Sequence, residues 1–309
     1  MIETVHLTKQ YGPHTAVEDL TFTIREGQVY GFLGPNGAGK TTAMNMITGY
    51  LAPSSGTVLI DGTDIREDPV RAKKSIGYLP EVPPLYPDLT VREYLLFAAS
   101  LKGIPRAERK AEAERVIGEL SLEEMQNRLI RALSKGYRQR TGIAQALLGD
   151  PKTLIFDEPT AGLDPRQITE IRALFRKLGR DHAVLLSSHI LPEISETCDT
   201  VLILSHGKMA AQGSPDSLAA EHTKTTVTVL TEGDEALIRA MLRGIAGVPE
   251  LSVTPENGRL RVVITKTGKT DPGAAAAAAL VGNGFPVYEI RTEKESLEDL
   301  FLSLTGEED

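Results

Sequence analysis

The chain of 309 residues is 41% apolar and 25% charged, enough to bury one large core or two smaller ones. Its net charge of -8 argues against a general nucleic-acid binder. Its one cysteine, Cys198, excludes an internal disulfide framework and any metal cage built on cysteine, and reads as a small packing residue.

In chain order, the opening MIETVHLTKQ has neither the basic segment nor the apolar stretch of a secretory leader, so a cytosolic location is expected. QVYGFLG (Gln28 to Gly34), TLIF (Thr153 to Phe156) and AVLLSS (Ala183 to Ser188) are unbroken apolar runs, which suit strands buried on both faces. Alternating with helical stretches, they predict an α/β fold with a largely parallel sheet over residues 1–222. Between the first two runs lies a helical insertion, in which TVRE (Thr90 to Glu93) and SLEE (Ser121 to Glu124) each read as a capping box at a helix start. LSKGYRQR (Leu133 to Arg140) puts a serine and a glycine at the opening of another helix, an arrangement suited to binding an anion. After GSPDSLAAEH the texture changes. TTVTVL, DEALIRAMLRGI, LSV, LRVVI, an alanine-rich helix and PVYEI predict a small α+β module over residues 223–309. It closes with a helix from Ser296, where a serine cap is followed by acids without an ideal capping box. The longest small-apolar run, Ala274 to Val281, is far short of the ~20 residues of a membrane span.

The chemistry gathers at strand ends. GPNGAGKTT, running through Gly34, Pro35, Asn36, Gly37, Ala38, Gly39, Lys40, Thr41 and Thr42, follows a strand and enters a helix-compatible segment. Glycines turn backbone amides onto phosphates, Lys40 reaches the β- and γ-phosphates of ATP, and Thr41 ligates Mg²⁺. Asp157 and Glu158 end the TLIF strand, where Asp157 holds Mg²⁺ through its water shell and Glu158 orients or deprotonates the attacking water. His189 follows AVLLSS and would emerge at the same edge as a γ-phosphate sensor. His6, His14, His182, His206 and His222 have no such context and no metal-ligand spacing.

The ordered set GPNGAGKTT, LSKGYRQR, LIFDEP, AGLD ending at Asp164, and His189 resembles the ATP-binding cassette, or ABC, ATPases of membrane transporters. The resemblance implies a P-loop NTPase cassette with a RecA-like core, an antiparallel β-subdomain and a helical subdomain. It implies two cassettes packed head to tail, each nucleotide held by one partner's phosphate loop and the other's Ser134 and Gly136. Lys135 and Tyr137 depart from the commonest family pattern, and Lys135 either adds positive charge near the phosphate or points to solvent. Glu81, in GYLPE, stands where the family usually has a glutamine that touches Mg²⁺ and the water, and its charge repels phosphate. Tyr11 matches the aromatic that stacks on adenine, and Asp164 the aspartate that links the two sites across the dimer.

GYLPE, LSKGYRQR and the ending SLEDLFLSLTG look most like the gliding-motility and drug-resistance exporter subgroup, in which the ATPase is a chain separate from its membrane permease. A homodimer or paired ATPase subunit is implied, peripheral on the cytoplasmic face of the inner membrane through that permease. The alternative is a soluble ABC ATPase acting on a ribosome, DNA or a regulatory partner. A single phosphate loop and the absence of sustained heptads count against the first two.

Overall fold

Strands buried on both faces need covering layers on each side, and the first of two structural units supplies them. A computed structural model describes residues 1–222, 224–243, 250–267, 272–294 and 296–306. They divide into Met1–Ser214 and Pro215–Asp309. The first unit opens with β1 (Ile2–Tyr11), β2 (His14–Ile24) and β3 (Gln28–Leu33), then α1 (Lys40–Ile47), β4 (Ser55–Ile60), β5 (Thr63–Asp64), α2 (Pro69–Lys74) and β6 (Ile76–Leu79). A helical stretch follows, α3 (Val91–Leu101), α4 (Arg109–Glu119) and α5 (Lys135–Leu147). The unit closes with β7 (Thr153–Phe156), α6 (Pro165–Leu178), β8 (Ala183–Ser188), α7 (Leu191–Thr197), β9 (Thr200–Ser205) and β10 (Lys208–Gly213).

Two sheets result. One is antiparallel, in the order β2-β1-β4-β5. The other runs β10-β9-β3-β8-β7-β6, parallel except for β10 at its edge. Every residue of β7 and β8 is buried, as their unbroken apolar sequences predict. Phe22, Phe32, Met44, Ile155 and Leu202 belong to one continuous core that joins the sheets through α1.

The two expected capping boxes of the insertion part company. Thr90 accepts from the Glu93 amide and Glu93 reaches back to the Thr90 amide, which starts α3. Ser121 starts no helix; it ends α4. It has φ 52°, and Leu122 N–H reaches Ile117 O at 2.9 Å while Ser121 N–H reaches Gly118 O at 3.2 Å. That bond pair is a Schellman terminator, so the local pattern of SLEE is overridden by the chain's need to satisfy the last carbonyls of α4.

The second unit comprises α8 (Pro215–His222), β11 (Lys224–Thr231), α9 (Glu235–Arg243), β12 (Glu250–Glu256), β13 (Arg259–Thr267), α10 (Pro272–Gly282), β14 (Val287–Lys294) and α11 (Leu297–Thr305). Its all-antiparallel sheet, β12-β13-β11-β14, has the βαββαβ order of a ferredoxin-like fold. Val227, Val229, Val262 and Ile264 meet Ile238, Leu242, Ala276 and Leu280 in its core. The unit begins at Pro215 rather than at residue 223, because α8 packs on α11. Thr223 itself, and Gly244 and Ile245 of the expected helix DEALIRAMLRGI, lie outside the described residues. Ser296 and Asp299 do form a capping box, since aspartate is long enough to reach the Ser296 amide at 2.8 Å. Among the described residues no helix is long and apolar enough to cross a membrane.

Candidate functional site

Parallel strands deliver their C-terminal ends to one edge, and β3, β8 and β7 are consecutive neighbours. β3 runs into the glycine-rich loop. Gly37 and Gly39 adopt φ 84° and 100°, conformations that disfavour a side chain. A Cβ on Gly39 would also stand 2.5 Å from Ala16 O, so the loop lies tight on β2. α1 then begins with no side-chain cap, leaving its first-turn amides for an anion. Lys40 is 6% exposed and donates from Nζ to Gly34 O at 2.6 Å and Pro35 O at 3.1 Å. Burial lowers its pKa, against the opposing pull of Glu158, Asp157 and Glu81.

The acids are locked from β8. Asp157, 1% exposed, accepts from Ser187 Oγ at 2.6 Å, and the same oxygen accepts the Glu158 amide at 2.9 Å. That amide bond holds Glu158 in the left-handed region at φ 46°, a strained conformation for a non-glycine residue. Its carboxylate is thereby aimed between Lys40 Nζ, 3.9 Å away, and His189 Nδ1, 3.1 Å away. Burial raises the Asp157 pKa, the Ser187 hydrogen bond opposes it, and Glu158 and Glu81 push it further up. Three carboxylates thus surround one lysine: Asp157 buried, Glu158 half-buried and Glu81 exposed.

These residues share one cleft of about 490 Å³. Tyr11, Pro35, Asn36, Gly37, Gly39, Lys40, Thr41, Thr42, Glu81, Glu158 and His189 line it. Gly34 and Ala38 are buried loop framework, and Asp157 sits buried at the end of β7. Tyr11 is 49% exposed at the hairpin joining β1 to β2. His14, Ala16 and Ala161 also line the cleft and were not anticipated; His14 pairs with Tyr11 across that hairpin, a contact only strand register reveals. Ser187 was missed for the same reason, since its partners lie 29 and 30 residues away.

Ser134, Lys135, Gly136 and Asp164 are not brought to that cleft. Ser134 caps α5, accepting from the Tyr137 amide at 3.4 Å. Asp164 caps α6, accepting from the Gln167 amide at 2.9 Å. Gly136 is pressed on α6: a Cβ there would stand 2.6 Å from the Gln167 side chain. Lys135 is exposed, but its ammonium lies against Gly162 of the AGLD turn. Gly136 and Asp164 together line a second cleft with Tyr137, Arg140 and Arg166.

The residues present suit ATP with a divalent cation. Thr41, Asp157 and Glu81 are hard oxygen donors, and three carboxylates facing one lysine suit a divalent cation. Among the described residues no three His, Cys, Asp or Glu side chains gather into a metal cage.

Comparison with known proteins agrees. A family profile described as "ABC transporter" matches residues 17–161. The "Uncharacterized ABC transporter ATP-binding protein YhcH" of Bacillus subtilis (strain 168) is 37% identical over 99% of the chain and 96% of its own length. The "Bacitracin transport ATP-binding protein BcrA" of Bacillus licheniformis is 35% identical over 99% and 97%. A solved "ATP binding subunit of ABC transporter" superposes with TM-score 0.64 at 32% identity, over 71% of this chain and 91% of that one. A structure titled "Dimeric Structure of MJ0796, a Bacterial ABC Transporter Cassette" gives TM-score 0.63 at 27% identity, over 69% and 98%.

Proposed function

The chain belongs to the ABC transporter family as an ATP-binding, ATP-hydrolysing subunit, and on that premise we propose that two cassettes clasp each nucleotide jointly and drive a separate membrane permease. Gly34 to Thr42 cradle the phosphates, Lys40 gives up its carbonyl partners for the β- and γ-phosphates, and Tyr11 stacks on adenine. Thr41, Asp157 and Glu81 hold Mg²⁺, which when bound neutralises charge on the phosphates. Glu158 accepts a proton from the water that attacks the γ-phosphorus, and His189 keeps the carboxylate oriented while sensing the γ-phosphate. Ser134, Lys135 and Gly136 serve the nucleotide of the other cassette, and Asp164 carries its state across the interface.

The observation behind this reading is the separation of two helix starts, one without a side-chain cap and one capped by Ser134. One opens α1 beside Lys40 and Glu158; the other opens α5 outside the cleft of its own chain. Hydrolysis parts the γ-phosphate from the rest and so weakens the joint, turning chemistry into an opening motion. Relatives named for bacitracin transport, linearmycin resistance and Nod factor export favour an exporter over a soluble ribosome- or DNA-acting ATPase. We place the ATPase on the cytoplasmic face of the membrane through its permease, with Met1–Ser214 as the ATP-binding domain and Pro215–Asp309 as an accessory module.

The test is Glu158→Gln, which keeps shape and removes the base. Turnover falls by ~10² or more. Light scattering with Mg-ATP then reads twice the monomer mass of 33.4 kDa, and a variant that stays monomeric contradicts the shared site.

A further inference from the structure

Glu193 is a buried carboxylate that the mechanism above leaves unused. It is 7% exposed, in the first turn of α7. Its hydrogen-bond partners are two hydroxyls rather than a cation. Thr160 Oγ1 donates to Glu193 Oε2 at 2.5 Å, and Ser188 Oγ donates to the same oxygen at 3.2 Å. Both donors are buried, Thr160 at 6% and Ser188 at 2% exposure. Ser188 Oγ also accepts the Ile190 amide at 3.0 Å.

The donors come from two different loops of the site. Thr160 opens the turn that ends at Asp164: Ala161 N–H bonds Glu158 O at 3.1 Å, and Leu163 N–H bonds Thr160 O at 3.1 Å. Ser188 immediately precedes His189, the partner of Glu158. A buried carboxylate is costly unless hydrogen-bonded, and an apolar side chain of the same size would serve stability as well or better. Both hydroxyls serve one carboxylate oxygen, so losing either leaves that oxygen with a single donor, and the penalty for moving one loop depends on where the other lies.

We propose that Glu193 is a positioning residue, a clasp that makes the Thr160–Asp164 turn and the Ser188–Ile190 segment move as one. The group facing the γ-phosphate and the turn facing the second cassette then report to each other within a single chain. This rests on the reading of function given above.

Hydrogen exchange on the nucleotide-free full-length chain tests it directly. Thr160→Val touches only the first loop and Ser188→Ala only the second. Each is expected to speed amide exchange about tenfold across both residues 161–164 and residues 189–191, with Thr160→Ser restoring protection. If each substitution loosens only its own side, the clasp does not exist. Should Thr160→Val fail to fold, Ser188→Ala read at residues 161–164 decides alone. In the ATPase assay kcat falls about tenfold in Thr160→Val while KM for ATP stays within about twofold, and Thr160→Ser recovers kcat. An unchanged kcat overturns the positioning role. The exchange measurement needs no nucleotide, so a chain that never dimerises with ATP would refute the function while leaving the clasp standing.

Discussion

Two lysines of the first unit, Lys40 buried and Lys102 half-buried, make the same kind of contact and do different work. Lys40 Nζ donates to the main-chain oxygens of Gly34 and Pro35, at 2.6 and 3.1 Å. Lys102 Nζ donates to those of Ala146 and Leu148, both at 2.8 Å. Burial lowers the pKa of each, that of Lys102 to about 8. The difference is in the surroundings. Lys102 satisfies the last carbonyls of α5, which no intrahelical amide can reach, and its charged neighbours Glu112 and Arg115 pull in opposite directions. Lys40 bonds a loop whose glycines open onto a cleft, and Glu158, Asp157 and Glu81 all act on it in one direction. A lysine that finishes a helix is structure; one that bonds a glycine-rich loop at the mouth of a cleft, with three acids around it, is placed to meet an anion.

The largest expected effect breaks that comparison at Lys40. Lys40→Ala should weaken ATP binding by ~10² or more, because phosphate oxygens lose their buried counter-charge. Its melting curve should stay close to that of the unmodified chain, since no helix end depends on it. Calorimetric titration with ATP checks the first point, and unchanged affinity would refute the assigned loop.

The same contrast explains what was legible in the sequence. The Lys40 loop, the strand carrying Asp157 and Glu158, and the capping box at Thr90 are contiguous segments whose residue types and local period already imply their structure. Lys102 gave no such signal, because its carbonyl partners lie 44 and 46 residues ahead. Ser187 was silent in the same way, and so was the strain at Glu158 that its hydroxyl sustains. SLEE failed for a related reason: a serine three residues before glutamate can start one helix or end another, and the α4 carbonyls that decide between them lie upstream of the motif. Of the second unit, the order of elements was readable but not its start, because the packing of α8 on α11 joins residues far apart in the chain. Contiguous chemistry can be read from residue order; partners supplied by the sheet or by a distant helix end cannot.

Next in size is Lys102→Met, the reverse of the Lys40 result. Two carbonyls at the end of α5 lose their donor, so the variant should be less stable by about 1 kcal/mol at neutral pH, with ATP affinity within about twofold of the unmodified chain. Denaturant melts and the same titration separate the two quantities. A Lys102→Met chain that binds ATP poorly would mean that the helical stretch shapes the nucleotide cleft more than these contacts indicate.

The smallest effect sharpens the comparison through protons. A lysine whose folded pKa is near 8 releases its proton in the folded chain while the unfolded chain, with the ordinary lysine pKa of 10.5, still holds it. Stability rises with pH wherever the unfolded state binds more protons, so Lys102 should add stability progressively from about pH 8 toward 10.5 and lose that contribution as pH falls through 8. The neutral amine still donates to both carbonyls, so the bonds that finish α5 survive the loss of charge. The deficit of Lys102→Met should therefore widen as pH is raised, by on the order of 1 kcal/mol across the interval. Subtracting the two stability curves cancels every other titrating group. A deficit that stays flat, or narrows, would mean that Lys102 keeps its proton in the folded chain and that its burial is less dry than its contacts imply.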